Sequence, residues 1–239
     1  MVITPTVRNI LIVLRRYKFL NRAQIQRLFF PKDKDGSVTR NVLRKIKHAG
    51  LCRALHPPEN SSAPVVYVPT DAGCSVLAAE TGDVSYLLDC QPNTKAWVSF
   101  HHFLAVTDLF IKFDKALQNQ TYVSMPCLFF EHDILNPDAS DPKTRFKLYT
   151  QISEKIVCVP DAACDLRVAS FCRAYYWELE RGTDSPMRVA AKKTPGYFGL
   201  SQGQHFKRHF AHAQDMRVVA VCPNGPWRDA LRKAMRDKP

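Results

Sequence analysis

The chain has 239 residues, 46% of them hydrophobic, and a formal net charge of +12. That length holds one or two domains, and that apolar content builds packed cores, which excludes a disordered chain. The basic excess points to a polyanionic partner, while eight cysteines with no CxxC pair argue against structural zinc and for free thiols in a reducing cytoplasm.

Val7, Ile10, Leu11 and Leu14 recur at helical spacing and predict a first helix over 7–17. Arg8 precedes this short apolar stretch, which fits an amphipathic helix rather than a signal peptide, and no apolar run nears the ~20 residues of a membrane span. Asn21 followed by Gln24 is a capping-box pattern that opens a second helix, 22–29, which Pro31 ends. After the polar KDKDG loop, Ser37 is the expected N-cap of a third helix over 38–49, with Gly50 as its stop. Val38, Val42, Leu43 and Ile46 form its expected inner side, and Arg40, Arg44, Lys45 and Lys47 lie mostly on the rest of its surface. Residues 51–55 and 65–69 read as short strands around a Pro/Ser-rich loop. Three helices and a hairpin predict a winged helix-turn-helix in residues 1–80. Its third helix would meet the phosphates and base edges of duplex DNA through Arg40, Arg44, Lys45 and Lys47, although the same cations also suit a solvated helix face.

Residues 81–99 are polar and aperiodic and predict a linker with one helical turn near 86–88. A second domain is expected over 100–239. It opens on a helix, 100–117, with Phe103, Val106, Phe110, Phe113 and Leu117 on one face. A strand over 122–130 leads to Glu131, His132 and Asp133. Pro137-Asp138 falls in polar sequence and reads as a turn, and 146–150 reads as another short strand.

The segment 156–183 then predicts a hairpin. Ala162, Cys164, Leu166 and Val168 alternate with Ala163, Asp165 and Arg167, and Tyr175, Trp177 and Leu179 alternate with Tyr176, Glu178 and Glu180. With Ala169-Ser170 as a two-residue loop, Val168 pairs with Phe171 and Asp161 falls opposite Glu178, with Glu180 on the diagonal. Trp177 and Leu179 are expected inward, with the acids on the other face. Three carboxylates converging there call for a compensating cation, and hard oxygen ligands suit Mg²⁺ or Mn²⁺. Beyond the hairpin, Ser185-Pro186 opens a helix carrying Lys192 and Lys193, which Pro195-Gly196 is expected to break. In QHFKRHFAH, His205, His209 and His212 share a helical face. That spacing could suit metal ligands, but Lys207 and Arg208 beside them fit a phosphate-contacting surface better. Residues 217–221 read as a buried strand and 227–236 as a basic amphipathic helix, so helices and strands alternate as in an α/β domain.

Pro160-Asp161 followed by Glu178-Leu179-Glu180 resembles the PD-(D/E)xK nuclease core. The resemblance implies that Asp161 and Glu178 hold a divalent metal. Glu180 stands where that core has its lysine, so the catalytic lysine would have to come from Lys192 or Lys193. The string WELERGT, followed by a lysine and Tyr197, resembles the replication-relaxation family of plasmid and mobile-element proteins, and the spacing to Tyr197 favours Lys193. The order His102-x-Leu104-x-Val106-x-Asp108 resembles the opening of that family's nuclease-like part, which makes Asp108 a candidate extra acid; a surface role for His102 and Asp108 is the plainer alternative. What the resemblance implies is a winged helix-turn-helix followed by a restriction-endonuclease-like α/β domain with a mixed sheet. The implied function is a cytoplasmic protein that binds duplex DNA in replication, relaxation or mobilisation, with no membrane partner. The implied chemistry is Mg- or Mn-dependent DNA cleavage by Asp161, Glu178, Glu180 and Lys193, or, with a degenerate site, non-catalytic regulation. A homodimer is compatible with either.

Overall fold

The computed structural model describes residues 3–57, 62–87 and 100–236. The chain is mixed α/β and divides into two compact units, Met1–Leu109 and Phe110–Pro239.

The first unit starts with α1 (Pro5–Tyr17), whose N-cap Thr4 accepts from the Val7 N–H and whose inner face buries Val7, Ile10, Leu11 and Leu14. β1 (Leu20–Asn21) leads into α2 (Arg22–Phe29) through the expected capping box between Asn21 and Gln24. α3 (Ser37–His48) differs at its start. Gly36, at φ +72°, is the N-cap, and the cap oxygens come from the preceding loop. Asp33 accepts from the Val38 and Thr39 N–H groups and the Thr39 hydroxyl, and Asp35 accepts from the Ser37 N–H. This turns the start of the helix so that Thr39 is buried with Leu43 and Ile46, while Val38, expected inside, is 47% exposed. β2 (Cys52–Leu55) and β3 (Val66–Pro69) are antiparallel, with β1 on the far side of β3.

α4 (Asp71–Thr81) follows at once, capped by Thr70. A Cβ on Gly73 would stand 2.1 Å from the Leu51 carbonyl oxygen, so only glycine allows this helix so close to the chain entering β2. Of the expected linker, Val84–Leu87 forms a 3-10 turn held by Arg15, which donates to the Tyr86 and Ser85 carbonyls; residues 88–99 lie outside the described residues. α5 (Phe100–Leu117) has the predicted span, but its first ten residues belong to this unit, where Phe100, Phe103 and Leu104 pack with Phe19, Val66 and Val68.

The second unit is built on a mixed sheet. The run expected as one strand over 122–130 is two, β4 (Val123–Ser124) and β5 (Leu128–Phe130), because Pro126 between them has no N–H for the ladder. Both pair antiparallel with β8 (Ala162–Val168). α6 (Pro142–Arg145) is a single turn, and β6 (Thr150–Gln151) pairs with β7 (Val157–Cys158) in a separate ribbon. β8 and β9 (Phe171–Leu179) form the predicted hairpin in the predicted register, Val168 against Phe171. Ala169 takes φ +51° at the first position of the tight turn. α7 (Pro186–Gln202) supplies the crossover that lets β10 (Asp215–Val221) run parallel to β9. β10 is an edge strand with Arg217, Val218 and Ala220 exposed, not the buried strand its apolar run suggests.

Pro195 does not break α7. It removes one helical donor while Gly196 and Gly199 press the helix onto the ribbon, where a Cβ would meet the Val157 oxygen at 3.1 Å and the Ile152 side chain at 2.2 Å. Both faces of the sheet are covered. Trp177 packs edge-on against Phe110 and Phe113 of α5, and on the other face Tyr176, Ala174 and Ala163 pack with Tyr197, Leu200, Phe206 and Phe210. The face expected to carry the acids is therefore core: Glu178 is 4% and Asp165 2% exposed. α8 (Gly225–Arg236) closes the unit by packing Leu231 and Ala234 on Val189 and Ala190 of α7.

Candidate functional site

At the end of β9, the hairpin register carried one residue past Ala162–Trp177 sets Asp161 across from Glu178. Asp161 is held from both directions: its N–H donates to the Trp177 carbonyl at 3.1 Å, and one carboxylate oxygen accepts from the Leu179 N–H at 2.7 Å. α7 brings Lys193 down onto the same spot. Its ammonium donates to both Glu178 oxygens at 2.8 Å each and to the Val159 carbonyl at 3.3 Å. One turn further along α7, the buried Tyr197 hydroxyl donates to Glu178 Oε1. Asp161, Glu178 and Lys193 are therefore together as the sequence implied, with Tyr197 as a fourth member.

Burial, and after it the neighbouring Asp161 charge, pushes the Glu178 carboxyl up to about 7, against the pull of Lys193 and Tyr197. Burial works against the charge on Lys193, yet Glu178, Asp161 and Glu131 together raise it above its ordinary value. The influence of Glu131 identifies an acid that sequence reasoning passed over. β5 pairs Phe130 with Ala162, so the next residue falls beside Asp161, and the Glu131 N–H donates to the Asp161 carbonyl at 3.0 Å. Nothing local in the sequence announces that pairing. Tyr197 entered the sequence reading only as part of the family pattern, but its place four residues after Lys193 already puts the two on one helix face.

Glu180 lies past the end of β9. Its N–H donates to the Val221 carbonyl and its charge helps raise the Cys222 thiol, whose main cause is burial. Lys192 is on the exposed side of α7. Among the described residues no group of three or more His, Cys, Asp or Glu side chains is arranged to hold a metal ion. The oxygen donors of Asp161 and Glu178 are hard, the kind Mg²⁺ and Mn²⁺ take, and burial disfavours the charge on Glu178 even beside Lys193.

Other candidates have structural roles. Asp108 pairs with Arg27 and accepts from Gln24 within the first unit. Pro137-Asp138 sits in a loop that Arg145 ties down through the Pro137 and Ala139 carbonyls. His205 belongs to a short 3-10 turn (His205–Arg208), and His209 is wedged between the Tyr176 hydroxyl at 2.8 Å and the Thr150 hydroxyl at 3.2 Å.

In the first unit, Arg40, Arg44, Lys45 and Lys47 are all exposed on α3. Three of them, Arg40, Arg44 and Lys47, turn toward an open groove of about 540 Å³ bordered also by Arg22, His56 and Tyr67. Lys45 is exposed outside it. No described helix is long and apolar enough to cross a membrane.

No curated protein and no solved structure matches the chain. The replication-relaxation family model matches residues 11–212, which takes in α3, the whole β8–β9 hairpin, Lys193 and Tyr197. By that match over most of its length, the chain belongs to the replication-relaxation family.

Proposed function

We propose that this protein binds duplex DNA in the replication or relaxation of a plasmid or mobile element, and that its second unit is a metal-dependent, nuclease-like phosphodiester site. The first unit has the helix–helix–helix–hairpin order of a winged helix-turn-helix, with α3 as the recognition helix and Arg40, Arg44, Lys45 and Lys47 as its phosphate and base contacts. Fold alone does not fix function. The observation that carries the catalytic reading is the meeting of Asp161, Glu178 and Lys193 at one end of the sheet.

Asp161 and Glu178 are the residues to hold Mg²⁺ or Mn²⁺. When bound, such an ion polarises a phosphoryl oxygen and lowers the pKa of a bound water. The chain's own contribution is positional. The Leu179 N–H fixes the Asp161 carboxylate, Tyr197 fixes the Glu178 rotamer, and Lys193 offers its positive charge to the phosphate as negative charge builds on it. The Glu178 carboxyl, pushed up to about 7, is favoured in its charged form by any added cation.

A second reading is a non-catalytic replication accessory factor or regulator. It is favoured by Lys193 already engaging both Glu178 oxygens and by Glu180 standing in the lysine position of the nuclease pattern. Nicking of supercoiled plasmid, measured with thermal melting in Mg²⁺ and Mn²⁺, separates the two. The catalytic reading expects wild type to nick and to be stabilised by metal, with both effects lost in Asp161→Ala and Glu178→Ala. No nicking and no metal-induced shift leaves the regulator; nicking that survives both substitutions places the chemistry elsewhere.

A further inference from the structure

The groove of the first unit draws on more than the side of α3 that would lie in a duplex. Four cationic side chains, Arg22, Arg40, Arg44 and Lys47, border about 540 Å³ of open space, and among the described residues no carboxylate borders it. They come from two helices, the start of α2 and the length of α3, so their charge converges from two directions. The other wall is the sheet. There the half-buried Tyr67 of β3 lies in register with Ala54 of β2, and the small alanine leaves its ring open to the groove. Arg22 lies close enough for its charge to act on the Tyr67 phenol. His56 continues the border past the end of β2.

A space of this volume falls in the range of sites that hold one small ligand. Cations that track a backbone, combined with an aromatic ring, are the recurring means of holding unpaired nucleotides, because every base has a π-face and every linkage a negative charge. We infer that this groove holds a nucleotide of single-stranded DNA, its phosphates on Arg22, Arg40, Arg44 and Lys47 and its base against Tyr67. The inference rests on the DNA-binding reading above and adds a preference for an unpaired strand or a fork over a closed duplex.

The test uses the full chain with a short single strand carrying 2-aminopurine, the same sequence as a blunt duplex, and wild type, Tyr67→Phe and Tyr67→Leu proteins. Stacking on Tyr67 should quench 2-aminopurine on the single strand. Tyr67→Phe should keep the quench and the affinity. Tyr67→Leu should lose the quench and bind the single strand roughly 5- to 150-fold more weakly, the range that loss of one base–aromatic stack gives. Its affinity for the blunt duplex should not change. Equal loss on both substrates, or none on the single strand, overturns the inference. If Tyr67→Leu does not fold, the wild-type signal decides, since an unquenched bound strand overturns it as well. Failure of wild type to bind either DNA at low salt would instead remove the DNA-binding reading beneath it.

Discussion

His209 gives a quantitative check on whether the histidine-rich segment is structural or a ligand set. Its half-buried ring sits between Tyr176 and Thr150, and desolvation first, with the charges of Arg208 and His205 after it, lowers its pKa from 6.5 to about 4. Both neighbouring hydroxyls can turn to accept, so protonation leaves hydrogen-bonding partners in place and the cost is that of a buried charge. The unfolded chain therefore binds a proton that the folded chain refuses between pH 6.5 and pH 4. Stability from this group is complete above pH 6.5 and is lost as pH falls toward 4. At about 1.4 kcal/mol per pKa unit, the loss is roughly 2 kcal/mol at pH 5 and approaches about 3 kcal/mol by pH 4. The perturbation is His209→Asn, which keeps a polar side chain but does not titrate. Guanidinium unfolding followed by tryptophan fluorescence, at a series of pH values from 7.5 to 4.5, gives the difference between wild type and variant, in which the other titrating groups cancel. Wild type should be the more stable at pH 7.5, and its advantage should shrink by about 2 kcal/mol at pH 5. Parallel curves would refute the burial argument. A zinc-dependent rise in wild-type stability, absent in the variant, would show a metal ligand instead.

Three other outcomes follow from the same geometry. Lys193→Met leaves the 4%-exposed Glu178 with Tyr197, among the described residues, on its oxygens, and should cost about 3–5 kcal/mol at pH 8 and less at pH 6, where the carboxyl takes up a proton; adding Glu178→Gln should recover part of the loss in denaturant midpoints. Gly73→Ala places a methyl 2.1 Å from the Leu51 oxygen and should lower stability by about 1–3 kcal/mol, whereas Gly50→Ala, with open space but φ +72°, should cost about 1 kcal/mol from backbone strain alone, both read by thermal melting. Replacing Arg44 and Lys45 by Ala should flatten the log–log salt dependence of duplex binding by up to about 1.8, near 0.9 for each phosphate that is no longer neutralised; an unchanged slope in an anisotropy titration would move the duplex surface off α3.

The local signals carried much of the framework. Periodicity and caps set α1, α2 and α5, because an apolar stripe and an Asn–Gln box act within a turn or two of chain. The Ala169-Ser170 turn fixed the β8–β9 register, and with it the placing of Asp161 across from Glu178, because a two-residue loop leaves no freedom in pairing. What sequence could not give came from packing between distant segments. The cap of α3 lies in the KDKDG loop rather than at Ser37, so the helix turned and Val38 came out. Pro195 sits within α7 because Gly196 and Gly199 let the helix press onto the ribbon, and that close packing offsets one missing hydrogen bond. Alternation along β9 predicted one buried and one acidic face, yet helices cover both, and burial of Glu178 rather than mere crowding of charge is the main cause of its raised pKa. Glu131 joins the site through the pairing of β5 with β8, across more than thirty residues of chain. Spacing along a chain reports which side chains share a face; only the assembled sheet and helices determine what that face meets.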